Sequence, residues 1–170
     1  MNKSFTLVEL LVTVAIFSLI VSSAVGVFVS ALQAQRKSLA MQELLGQTSF
    51  LMEYMSRAIR MAKKDISGNC IDAKLNYKIA DHGIEFMNYK GECQKFFLSG
   101  NQLKEEKNGV VSDLTSSHLK VLNFNINLLG QTQADDLQPK ATLFLKIEGK
   151  ERSQIRLQTT ISQRNPDIEI

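Results

Sequence analysis

From Leu10 to Leu32 the chain carries only apolar residues, glycine, serine and threonine. As a helix this segment reaches the roughly 20 residues that cross about 30 Å of hydrocarbon, so it can span a bilayer. Glu9 stands at the mouth of the run as its one carboxylate. A charged side chain inside a membrane segment costs roughly 2.5–3.5 kcal/mol on insertion scales, so an acid there usually marks a function with a partner. The complementary partner is an amino group.

Ahead of the run stands a short polar leader, Met1-Asn2-Lys3-Ser4, followed by Phe5-Thr6-Leu7-Val8-Glu9-Leu10-Leu11-Val12. Leader, aromatic residue, acid and apolar helix together resemble, over about the first 35 residues, the N-terminus of type IV prepilins and type II secretion pseudopilins. The resemblance implies that prepilin peptidase cuts on the cytoplasmic side between Ser4 and Phe5 and methylates the new N-terminus at Phe5. The family usually has Gly before the cut; here the small residue Ser4 takes that place. Glu9 then falls at the fifth mature position, where the family carries its glutamate. The resemblance further implies a single pass through the inner membrane with the N-terminus in the cytoplasm, and a C-terminal domain outside. The implied partners are the lipid bilayer, an inner-membrane assembly platform and other pilin or pseudopilin subunits.

The role of Glu9 also has an argument independent of the family. When helices stack in parallel, a fresh α-amino group on one and a carboxylate on its neighbour neutralise each other at low dielectric, whereas either alone stays uncompensated. Pairing therefore favours docking in register. Other readings of the same segment stay open. Val29-Ser30-Ala31 fits a small-x-small cleavage site of a secretory signal, although the core is longer than such signals carry and has an acid at its start. A plain signal anchor with Glu9 at headgroup level is another, and so is a single-pass membrane-tethered binding domain that never polymerises. Flanking charge does not orient the segment, because Lys3 and the amino terminus on one side face Arg36 and Lys37 on the other.

Past Arg36 the helical pattern continues: Met41, Leu44, Leu45, Thr48, Met52, Met55, Ile59 and Ala62 recur at three- and four-residue spacing. Asp65-Ile66-Ser67-Gly68-Asn69 supplies stop signals, so the expected organisation is a leader at 1–4, a membrane helix at 5–35, an amphipathic continuation at 36–66 and a strand-rich extracytoplasmic domain at 67–170. The methionines at this spacing read as core, and Arg57, Arg60, Lys63 and Lys64 as a solvated face and helix-end charges. Leu51-Met52-Glu53-Tyr54-Met55-Ser56-Arg57 is similar to the helix of minor pseudopilins of the J type.

After Gly68 the period changes to two. Gly83–Tyr89 and Cys93–Leu98 read as strands paired across Lys90-Gly91-Glu92, and Leu103-Lys104-Glu105 as another short strand. Leu122, Phe124, Ile126 and Leu128 alternate with asparagines; Ala141, Leu143, Leu145 and Ile147 form a second alternating run, and Ile155, Leu157, Thr159 and Ile161 a third. Such strands bury one face and wet the other, which gives the apolar stripe of the helix a surface to pack on. The expected fold is α+β, a long N-terminal helix on an antiparallel β-sheet, the lollipop of pilin-like subunits.

Cys70 and Cys93 are the only cysteines, placed beyond the membrane segment where oxidation is permitted, so both a disulfide and two buried thiols fit. With His82 and His118 they lack any recognised zinc-ligand spacing, and no metal site is expected. Asp135-Asp136 lacks the ligand alternation of a calcium loop and reads as a polar hairpin. No nucleophile motif, phosphate-binding glycine loop or paired-acid motif is present, so neither catalytic residues nor a cofactor is expected. A net charge of +3 in 170 residues does not call for a nucleic-acid partner, since the basic residues are scattered along the chain, although a DNA-uptake pseudopilin on the same anchor is a further alternative. The leading expectation is a non-enzymatic, minor subunit of a type IV pilus-like or pseudopilus filament.

Overall fold

A computed structural model describes residues 6–131 and 137–164. Ser4, Phe5 and the Asp135-Asp136 loop lie outside the described residues. The chain divides into two compact units, Met1–Leu39 and Ala40–Ile170.

Helix α1, Leu7–Arg60, supplies the first unit and opens the second. Its first part is long and apolar enough to cross a membrane, and none of that stretch is buried within the protein. Leu7, Leu19 and Val27 are each more than two-thirds exposed. The hydroxyls in this stretch are satisfied by the helix itself: Thr13 donates to the Leu10 carbonyl, Ser18 to Val14, Ser22 to Ser18, Ser23 to Ile20 and Ser30 to Gly26, at 2.7–3.0 Å. A hydroxyl bonded in this way presents no unmet donor to hydrocarbon, so these serines do not disqualify the segment as a span.

In the second unit α1 buries Ala40, Leu44, Thr48, Leu51, Met55 and Ile59. The expected stripe is correct at Leu44, Thr48, Met55 and Ile59 and wrong at Leu45, which is 43% exposed, while Leu51 turns inward. The contact line follows the 44, 48, 51, 55, 59 progression of a straight helix, and Leu45 lies one position to its wet side.

The helix stops at Arg60 rather than continuing to 66. Carbonyls at and just past its end are met by groups from distant parts of the chain: the Tyr77 hydroxyl donates to the Ile59 carbonyl at 2.9 Å, the Arg164 amide to Arg60 at 2.8 Å, and Gln163 Nε2 to the Ala62 carbonyl at 2.8 Å. Lys63 and Asp65 then form extended bridges with Met87 and Leu75. Tertiary donors replace the next helical turn.

The first sheet is a five-stranded antiparallel meander: β1 Lys78–Ala80, β2 Gly83–Met87, β3 Cys93–Ser99, β4 Gln102–Lys107 and β5 Val110–Asp113. The hairpin expected across Lys90-Gly91-Glu92 forms with Met87 opposite Cys93. Gly83 allows β2 to approach β3 closely, since a Cβ there would lie 2.1 Å from the Phe96 carbonyl oxygen. The second sheet is β6 Lys120–Leu129, β7 Lys140–Glu148 and β8 Gln154–Ser162, also antiparallel. Ala141, Leu143, Leu145 and Ile147 all face the core as their alternation implies. In β6 a bulge between Val121 and Asn123 resets the phase, so Val121 is buried at 1% and Leu122 is 41% exposed, against the expectation for Leu122. In β8 the expected phase holds, with Ile161 buried and Ile155, Leu157 and Thr159 half-buried.

Leu44, Met55 and Ile59 of α1 join Tyr77, Phe86, Phe96 and the inward residues of β7 in one core. Beside it lies a polar cluster. Glu105, 6% exposed, accepts from the Tyr54 hydroxyl at 2.8 Å and from Gln94 Nε2 at 2.6 Å, and Lys107 Nζ lies 3.1 Å away and donates to Tyr54 at 2.6 Å. Burial would depress the Lys107 ammonium, but its bonds to Tyr54 and Glu105 outweigh that and raise its pKa. The cluster ties α1 to β3 and β4 at one register. The helix on antiparallel sheets is an α+β layout that fits the pilin-like fold.

Candidate functional site

The start of α1 is built from two side chains. The Thr6 hydroxyl accepts the Glu9 amide at 3.3 Å, while Glu9 Oε2 accepts the Thr6 amide at 3.2 Å and the Thr6 hydroxyl at 3.1 Å. This reciprocal arrangement is a capping box: each residue satisfies a donor that the first helical turn leaves open. The carboxylate also sits in the first turn, where the helix dipole favours negative charge. Thr6 was missed as a functional residue in the sequence. The signal was present in the Thr6-Leu7-Val8-Glu9 spacing directly ahead of an apolar run.

The box uses only one of the two carboxylate oxygens. Among the described residues Glu9 Oε1 has no hydrogen-bond partner, and the side chain is exposed.

The second expected feature lies at the far end of α1. Cys70 and Cys93 form a disulfide, with Cα atoms 5.2 Å apart. It closes the segment that follows the helix onto the first residue of β3. Asp65 organises the same segment: Oδ1 accepts the amides of Gly68 and Asn69 at 2.8 and 3.1 Å, and Oδ2 those of Cys70 and Ile71 at 2.7 and 3.0 Å. Burial by itself pushes this carboxyl up, but the four backbone donors outweigh it and hold its pKa below the usual value. Asp65, read in the sequence as a helix stop, is instead the acceptor around which the loop folds.

His82 and His118 are both exposed. Among the described residues no group of three His, Cys, Asp or Glu side chains is placed to hold a metal ion. Arg57 pairs with Glu53 at 2.6 Å on the outer side of α1.

Residues 1–25 match a family model described as the prokaryotic N-terminal methylation motif. No curated protein and no solved structure matches the chain. The motif implies processing by prepilin peptidase and association with other pilins, and it points to a structural subunit rather than an enzyme. The unburied apolar helix that follows is consistent with a single-pass inner-membrane anchor. The first 25 residues thus match a prokaryotic N-terminal methylation motif, a likeness that supports a type IV pilin-like or pseudopilin subunit.

Proposed function

We propose that this protein is a minor subunit of a type IV pilus-like or pseudopilus filament. In this reading prepilin peptidase cleaves between Ser4 and Phe5 and methylates Phe5, and the subunit is then drawn through the assembly platform with its N-terminus initially in the cytoplasm. The observation that carries the reading is the methylation motif running without interruption into the apolar, unburied first part of α1, whose one acid, Glu9, stands in the first turn. The capping box adds a mechanism. Thr6 holds Oε2 and fixes the rotamer, and the α-amino group of a neighbouring subunit pairs with the carboxylate in an apolar setting. The similarity of Leu51–Arg57 to J-type minor pseudopilins supports the minor role.

The test is the mature N-terminus together with incorporation. Mass spectrometry of protein extracted from membranes is expected to give a chain beginning at N-methylated Phe5. Glu9→Gln keeps membrane insertion and shape but removes the charge, so it is expected to be processed normally and to be depleted from sheared filaments. Retention of Met1 to Ser4 in the working protein would instead fit a membrane-tethered domain, and normal incorporation of Glu9→Gln would remove Glu9 from assembly.

A further inference from the structure

The sheet β6–β7–β8 packs one face on the core and turns the other to water, and its register aligns the wet side chains in rows across the strands. One row is Asn123, Lys146 and Arg156; the next is Asn125, Phe144 and Gln158; the third is Asn127, Thr142 and Thr160. Lys146 and Arg156 are directly opposite each other, a like-charge pairing that destabilises an antiparallel sheet. Among the described residues neither has an ion pair or hydrogen bond to relieve it.

The wider face has the same bias. Within the three strands Lys120, Lys140, Lys146 and Arg156 stand against Glu148, a net of +3 among these described residues. Cations that look scattered along the sequence are brought together by strand register. Between the cation pair and the threonine row sits Phe144, 38% exposed, in a shallow depression of about 550 Å³ that Asn123, Lys146, Arg156 and Gln158 also line.

We propose that this outer face of β6–β7–β8 binds single-stranded nucleic acid. Lys146 and Arg156 neutralise backbone phosphates, Phe144 offers a ring on which an unstacked base lies, and the flanking amides of Asn125 and Gln158 meet base edges. An acidic polypeptide would use the two cations but leave the amide-flanked ring without a role. A duplex keeps its bases stacked away from that ring. The inference goes beyond the filament reading and stands whether or not the protein polymerises.

The test measures fluorescence anisotropy of a labelled oligothymidylate with the full chain in uncharged detergent micelles across a range of salt. Binding is expected to weaken with salt, and the Lys146→Gln/Arg156→Gln double variant is expected to flatten the slope of log K against log salt by about 1.4, from roughly 0.7 per phosphate on single strands. Phe144→Ala is expected to lower affinity about five- to hundredfold with an unchanged slope, and Phe144→Trp to retain it. Near-UV circular dichroism of each variant checks the fold. Absence of salt-sensitive binding by the full chain overturns the proposal. So does equal binding of polyglutamate or a sulfated polysaccharide with no effect of Phe144→Ala, which would make the face a general polyanion patch.

Discussion

Asp65→Asn isolates the contribution of one buried carboxylate. Asp65 accepts four backbone amides, two on each oxygen. Asparagine keeps the shape but offers one acceptor oxygen and one donor group, so in either orientation two amides lose their acceptor and face a donor. The orientation with less loss keeps Cys70 and the buried Ile71 on the carbonyl and releases Gly68 and Asn69, which are exposed enough for water to serve them. Hydrogen bonds to charged groups contribute roughly 1.5–3 kcal/mol each, so two such losses partly recovered by water give a destabilisation of about 3 kcal/mol. In a domain of this size that lowers the melting temperature by about 10 °C. The assay is thermal unfolding of the full chain in detergent, followed by near-UV circular dichroism at neutral and acid pH. Asp65 titrates lower in the folded state than in the unfolded one. Its stabilisation is therefore present above the unfolded value of about 3.9 and lost as pH falls through the folded value, and the asparagine variant lacks this dependence. The gap between the two proteins should narrow on acidification. A variant within about 1 kcal/mol of the parent at neutral pH, below the cost of even one lost charged hydrogen bond, would refute the reasoning. A gap that stays constant into acid would do the same.

Two further outcomes follow from the structure. The Cys70–Cys93 bridge spans 23 positions, so Cys70→Ser/Cys93→Ser is expected to lower stability by about 3 kcal/mol in chemical denaturation. Combined with Asp65→Asn the losses should be less than additive, because both act on one loop. Val121→Asn places an amide in the core and is expected to cost about 3 kcal/mol or more, whereas Leu122→Asn should stay within about 0.5 kcal/mol. Equal effects at the two positions would contradict the bulge.

What the sequence made legible is what one local pattern decides. Ala141 to Ile147 alternate without a flaw and face the core without exception, and Lys90-Gly91-Glu92 turns where its composition implies. The bulge at Val121 was hidden because an extra residue in one strand shows only against the partner that opposes it. Strand β5 was hidden because all four of its residues are exposed and leave no alternation. The end of α1 was misplaced because Tyr77, Gln163 and Arg164 terminate it, and none is near it in sequence. At the N-terminus, the spacing of Thr6 and Glu9 is visible in the sequence, but the same acid suits a partner on another helix equally well, and only the structure places its bonds within its own first turn. The gathering of Lys146, Arg156 and Phe144 on one sheet face needed strand register, which no single segment contains.

The junction at Arg60 has a bearing on when the domain can fold. Gln163 reaches Ala62 across 101 positions, and Arg164 meets Arg60 beside it. Contacts this remote in sequence close late and slow the search for the native state. A nascent chain can form the first meander early, but the root of the helix stays unlatched until β8 has emerged and found its place. Synthesis has to pass Arg164, then, before the foot of α1 can close.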